Sequence, residues 1–124
     1  MNRMSGIINV IKPPGMSSHQ VVSYVRKLLR MDRVGHTGTL DPGASGVLPL
    51  CVGKATKLVP FLTDYDKSYI AELTFGIETD TQDASGATTQ MDFSVRITPN
   101  ALGTAFSRFL GKIDQVPPMA SAKS

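Results

Sequence analysis

Ile7, Ile8, Val10 and Ile11 crowd a short stretch between Gly6 and Lys12, and Pro13-Pro14 then removes two backbone donors in a row. That pattern predicts a strand over Gly6–Ile11 that stops at the prolines. Either Ser17 or Ser18 can cap a helix, and Val21, Val25, Leu28 with Val22, Leu29 keep helical spacing to about Met31. The run "VLPLCV" at 47–52 reads as a buried strand, and "KATKLVPFL" at 54–62 as a short helix that Pro60 must shorten or bend. Tyr69, Ala71, Leu73 and Phe75 alternate with Ile70, Glu72 and Thr74, predicting a half-buried strand. "GIETDTQDASG" at 76–86 is a polar turn region. Thr98 then caps another helix with Pro99 at its first position, Leu102, Phe106, Phe109 and Leu110 facing inward, and Gly111 closing it. Extended "KIDQVPPM" follows. The order β, α, loop, β, α, β, α points to an α+β fold.

Composition narrows the setting without naming a chemistry. A chain of 124 residues makes one domain at most, with 41% hydrophobic and 19% charged residues in the globular range. Thirteen Lys and Arg against ten Asp and Glu give +3, compatible with an anionic partner. Arg26, Lys27 and Arg30 gather at the end of the first helix, where they complement its dipole or bind phosphate. Cys51, the single cysteine, lies in an apolar run and reads as a buried thiol. No signal-like or membrane-spanning stretch is present, which makes the cytoplasm the expected location.

The densest chemistry is "GHTGTLDPGASG" from Gly35 to Gly46, four glycines around one carboxylate. Its glycines match neither the P-loop nor the dinucleotide spacing. Asp-Pro at 41–42 is an ordinary turn start. Gly38 and Gly43 beside it are expected at φ > 0, while Thr39, Ala44 and Ser45 leave room for a substrate. A carboxylate held there can serve as nucleophile or general base. His19, His36 and Cys51 lack metal-ligand spacing, and "DTQDASG" lacks the acidic positions of a calcium loop, so no metal is expected. Tyr69, if it faced a cleft, could stack on a base, with Lys12, Lys54, Lys57 and Lys67 as phosphate partners.

Three stretches together resemble one family. "GHTGTLDPGASGVLPLCVGKATKL" is similar to the catalytic motif of the TruB tRNA pseudouridine synthases, "NVIKPPGMSSHQVV" to their first motif, and "DKSYIAELTFGIETDTQDASG" to the segment after the catalytic loop. Guide-RNA-dependent relatives share the Leu-Asp-Pro core, whereas the "GVLPLCVGKATKL" wording favours the stand-alone bacterial branch, with Ser45 as a departure. The resemblance implies a mixed, mainly antiparallel sheet with flanking helices, the pseudouridine-synthase-like catalytic domain. Residues 1–124 would be its N-terminal portion, exposing part of an incomplete core. The rest of that domain, the arginine that pairs with the catalytic aspartate, and a C-terminal RNA-binding domain would be absent. "QVPPMASAKS" resembles the family's Pro-Pro-x-aromatic-Ser-Ala-x-Lys element, with Ala120 at the aromatic position and one residue fewer before Lys123.

By the same resemblance Asp41 is the catalytic aspartate and His36 contacts the remodelled T-loop of tRNA. Tyr69 stacks on the flipped uracil, and Lys12 supports the catalytic loop. Gly38 and Thr39 complete the substrate-binding stretch. The implied partner is the T-arm stem-loop of tRNA, bound by a monomer without cofactor or metal. The implied reaction converts uridine to pseudouridine on a flipped-out base, with attack by Asp41 at the sugar or the ring left open. A non-catalytic RNA-binding remnant is the alternative.

Overall fold

Pro13-Pro14 does end the first strand, though one residue later than the pattern suggests. In the computed structural model, which describes residues 4–119, β1 is Gly6–Lys12. Contacts divide the chain into two units, one up to Tyr69 and one from Ile70 onward.

In the first unit α1 is Ser18–Leu29, β2 Val34–His36 and β3 Gly46–Val52. Ser17 is the cap: its hydroxyl accepts the Gln20 amide at 3.1 Å, and the Gln20 side chain accepts the Ser17 amide at 2.8 Å. The helix stops two residues short of the expected Met31, because Arg30 turns left-handed at φ 51 and Met31 folds back into the core. Antiparallel pairing gives the order β1-β3-β2. Register places Ile8 opposite Leu50, Val10 opposite Leu48 and Val34 opposite Val52, all on one face. Val21, Val22 and Val25 cover that face, with Met31 at its rim. Leu28, expected inward, is exposed. Leu29, the next residue, packs against the core in its place. On the other face Cys51 is fully buried, and burial pushes its thiol up. Ile7, Ile11 and Val47 on that face stay exposed.

β2 was not readable as a strand, since three residues cannot show a period. The expected helix over 54–62 is instead a tight 3-10 stretch, Gly53–Leu58, followed by α2, Val59–Thr63. Pro60 stands in the first turn of α2, where its missing N–H removes no helical bond, so it starts the helix rather than bending it.

The second unit departs further. No strand forms over 69–75; the backbone is irregular, and Ile70, Leu73 and Phe75 are exposed. A strand needs a partner to accept its ladder, and no described segment pairs with this one. The polar region instead opens a hairpin of β4, Ile77–Thr79, and β5, Thr88–Met91, with an irregular step at Glu78/Thr79. Its connecting loop is built on two carboxylates. Asp80 accepts the Ala87 amide at 2.8 Å, and Asp83 accepts the Thr81 hydroxyl at 2.7 Å and the Ser85 amide at 2.8 Å. The Ser85 hydroxyl, then the Thr81 hydroxyl and the Ser85 amide, hold the Asp83 carboxyl below its ordinary value.

Thr98 caps α3, Pro99–Ser107, accepting the Ala101 amide at 3.2 Å. The helix ends before Phe109 and Leu110, so neither lies on its face. Phe106, Phe109 and Leu110 are all exposed, and only Leu102 is half-buried. Gly111, at φ 76, follows the helix by several residues and does not close it; Arg108 caps it in ordinary right-handed geometry. Among residues 70–119 none is buried, so the described residues of the second unit form no core of their own. The part of the Pro-Pro element carrying Ala120 and Lys123 lies outside the described residues. No described helix is long and apolar enough to cross a membrane.

Candidate active site

The glycine-rich stretch is the connection from β2 to β3, and three other pieces of chain converge on it. Lys12 ends β1 opposite Gly46, the Pro13–Gly15 turn follows at once, and Ser18 opens α1. Asp41 is exposed at the centre of this connection, with no hydrogen bond or ion pair to its carboxylate among the described residues.

Its backbone is held on both sides. Before it, the Leu40 amide donates to the Ser18 hydroxyl at 2.9 Å, and that hydroxyl donates to the Leu40 carbonyl at 3.1 Å. After it, the Pro42 carbonyl accepts the Gly15 amide at 2.7 Å and the Lys12 ammonium at 3.2 Å. The Asp41 carbonyl itself accepts the Ala44 amide at 2.9 Å, closing a turn. The result is a mobile-looking sequence with a pinned main chain and a carboxylate open to solvent.

Lys12 is fully buried. Besides Pro42, its ammonium reaches the carbonyls of Met16 at 2.6 Å and Pro13 at 2.9 Å. A lysine has three N–H bonds, and three carbonyls use them all. No proton is left for a phosphate, so the phosphate-partner reading of Lys12 fails and the geometry is that of an anchor for the loop.

Gly38 and Gly43 are not at positive φ, contrary to the sequence expectation. Their smallness has other uses. A Cβ at Gly38 would meet Lys67 Cε at 3.2 Å and Nζ at 3.3 Å, so this glycine gives the lysine a seat against the loop. Gly43 faces open space, leaving the main chain approachable next to Asp41. Lys67 also donates to the Thr63 carbonyl at 3.0 Å.

His36, the last residue of β2, is half-buried, and its Nδ1 is shielded without a hydrogen-bond partner among the described residues. Thr39 is exposed in the loop. Tyr69 is exposed in irregular backbone, not in a strand, and no hydrogen bond joins it to the loop among the described residues. Of the other cations, Lys54 and Lys57 are exposed within the 3-10 stretch, and Lys27 and Arg30 are exposed at the end of α1. Arg26 donates to the Val34 carbonyl at 3.0 Å, tying α1 to β2.

Sequence reasoning left Ser18 as one of two possible caps and gave it no other task. The Ser17-x-x-Gln20 spacing is the signal that assigns the cap to Ser17 and frees Ser18.

Comparison with known proteins shows the family. Residues 26–124 match the family model described as TruB family pseudouridylate synthase (N terminal domain). A protein of Symbiobacterium thermophilum named tRNA pseudouridine synthase B is 50% identical over 121 residues, which cover 98% of this chain and 40% of that protein. One of the same name from Alkaliphilus oremlandii is 55% identical over 119 residues, 96% of this chain and 40% of the relative. The chain therefore spans about 40% of the length of these relatives. Among solved structures, a chain of a Cbf5-Nop10-Gar1 complex superposes with TM-score 0.63 at 28% identity, covering 98% of this chain and 31% of that one. Mixed α+β architecture, antiparallel sheets and an exposed, backbone-pinned aspartate thus coincide with sequence identity over nearly the whole chain, and the chain belongs to the TruB family of pseudouridylate synthases.

Proposed function

We propose that this chain carries the catalytic carboxylate of a tRNA pseudouridine synthase, which isomerises a uridine of the T-loop to pseudouridine. The observation that carries the reading is Asp41, an exposed carboxylate on main chain pinned at both neighbours. In the reaction the N1–C1′ bond breaks, the uracil turns over and the C5–C1′ bond forms. C5 gives up its proton and N1 gains one, so no redox partner or second substrate is needed. The reacting base sits inside a folded RNA loop and must be flipped out to meet a carboxylate. Gly43, Thr39 and the other small side chains of the loop leave space for a nucleoside at Asp41.

Asp41 acts on the sugar or the ring as nucleophile or base. His36 and Tyr69 contact the RNA, Tyr69 by stacking on the flipped base. The exposed cations Lys54, Lys57 and Lys67 face phosphates, and Lys12 keeps the loop in place. The partner is the T-arm of tRNA in the cytoplasm, met by a monomer. Because the relatives are longer, a second reading is RNA binding without turnover by this chain.

Tritium release from a T-arm stem-loop labelled at uridine C5 separates the two. Release by this chain, lost in Asp41→Asn with binding retained, is the expected outcome. Tight binding without release supports the second reading. Equal loss of binding and turnover in Asp41→Asn would contradict the role given to Asp41.

A further inference from the structure

The two holds on Asp41 differ in kind. On the Pro42 side two donors converge on one carbonyl, so either can be lost while the other remains. On the Leu40 side both backbone groups depend on a single hydroxyl. That hydroxyl belongs to Ser18, which is 2% exposed and lies 22 positions earlier in the chain. It makes no bond within its own helix, whose capping is carried by Ser17 and Gln20.

We propose that Ser18 is a positioning residue for Asp41, resting on the catalytic reading given above. Two rotations fix where the Asp41 side chain points. Its ψ is already restricted because proline follows. Its φ depends on the orientation of the Leu40–Asp41 peptide plane, and the carbonyl of that plane is the one Ser18 holds. The side-chain carboxyl lies off the N–Cα axis, so a change of about 20° in φ moves it by roughly 0.8 Å. Displacements of that size in a reacting group can cost about 100-fold in rate. Ser18 thereby links the start of α1, which is packed into the core, to the direction of the catalytic carboxylate.

The test uses the 124-residue chain and a chimera in which the Alkaliphilus oremlandii relative supplies the remaining length. Amide exchange at Leu40 is measured in the chain, and kcat and KM for a T-arm stem-loop are measured in the chimera. Ser18→Ala should accelerate Leu40 exchange relative to core amides such as Leu50. It should lower kcat by about 10- to 100-fold while KM moves less than about 3-fold. Ser17→Ala is the control, since it loosens the same helix end but leaves the Ser18 hydroxyl in place; its kcat should stay within about 3-fold. An equal fall of kcat in both variants would reduce the effect to general softening of α1 and overturn the proposal. So would unchanged kcat in Ser18→Ala. If Ser18→Ala does not fold, the unsubstituted chain decides: Leu40 exchange as fast as that of exposed amides defeats the proposal, and slow exchange supports it. A chimera with no turnover overturns the catalytic reading and this proposal together, whereas an active one with insensitive kcat overturns this proposal alone.

Discussion

Replacing Lys12 by methionine separates an anchor of the loop from a contact to RNA. Methionine keeps most of the stem volume, so the change removes the ammonium with little cavity. Three carbonyls lose a charged donor, from 2.6 Å at Met16 to 3.2 Å at Pro42. They do not suffer equally. Pro42 keeps the Gly15 amide at 2.7 Å, and exposed Pro13 can turn to water. Met16 is half-buried and loses its shortest bond, at about 1–3 kcal/mol for an acceptor left without a partner. Relief from burying an ammonium offsets part of that cost, and the net loss is expected at about 1–2 kcal/mol. For a chain whose whole stability is of order 5–15 kcal/mol, a urea transition followed by circular dichroism resolves that easily. The same variant is then titrated with a T-arm stem-loop at several salt concentrations. A lost phosphate contact lowers the slope of log K against log salt by about 0.7–0.9. Lys12→Met should leave that slope unchanged, whereas Lys54→Met should lower it. A variant as stable as the parent but with a shallower slope would refute the anchor assignment, however well the three distances fit it.

Two further predictions concern the scaffold. Gly53 sits at φ 61, and a Cβ there would collide with the Met4 carbonyl oxygen, so Gly53→Ala should cost more than about 2 kcal/mol in a urea titration. Gly43, at no positive φ and facing open space, should tolerate alanine within about 1 kcal/mol, and equal losses at the two positions would show that the backbone reading is wrong. In the second unit, the Asp83 carboxyl is held below its ordinary 3.8 by the Ser85 and Thr81 hydroxyls and the Ser85 amide. A depressed folded value means that its contribution is full above 3.8 and fades as pH falls through the lowered value. Carbon-detected titration of the carboxyl should therefore show a midpoint below 3.8 that Ser85→Ala moves upward; no movement would exclude the serine as the main cause.

The fold was legible where local pattern and tertiary environment agree. β1 and β3 are apolar runs bounded by residues that punctuate, and α1 places three valines at helical spacing onto the face those strands share. It was illegible where a pattern states which face is apolar but not what meets it. The alternation over 69–75 is as good as any in the chain, yet no described segment accepts its ladder and Ile70 stands fully in solvent. Phe106, Phe109 and Leu110 carry the same lesson for α3, because spacing along a helix implies an inner side only when something lies on that side. In the opposite direction, Ile77–Thr79 and Thr88–Met91 pair although their surroundings are polar, since Asp80 and Asp83 organise the loop between them through side-chain bonds to its backbone.

The site divides along a different line. Asp41 stands out in the sequence because four glycines and small side chains around one carboxylate are hard to explain by a core. What keeps that carboxylate in place does not, because the partners are far away in sequence: Lys12 is 30 positions from Pro42, and Ser18 is 22 from Leu40. Glycines near a reacting group suggest freedom, and positive φ was the natural expectation at Gly38 and Gly43. The structure uses them for clearance instead, one against Lys67 and one toward open space, and draws rigidity from the first motif. On the proposed reading the loop must admit a nucleoside, so it cannot be filled with its own side chains and packing cannot hold it. Main-chain hydrogen bonds to Lys12, Gly15 and Ser18 hold it from behind, leaving the front clear. That division of labour explains why two stretches separated by a whole helix carry one site. On the same reading, substitutions at Lys12 or Ser18 should weaken turnover without touching RNA, and substitutions at Thr39 or Tyr69 should do so through the RNA itself.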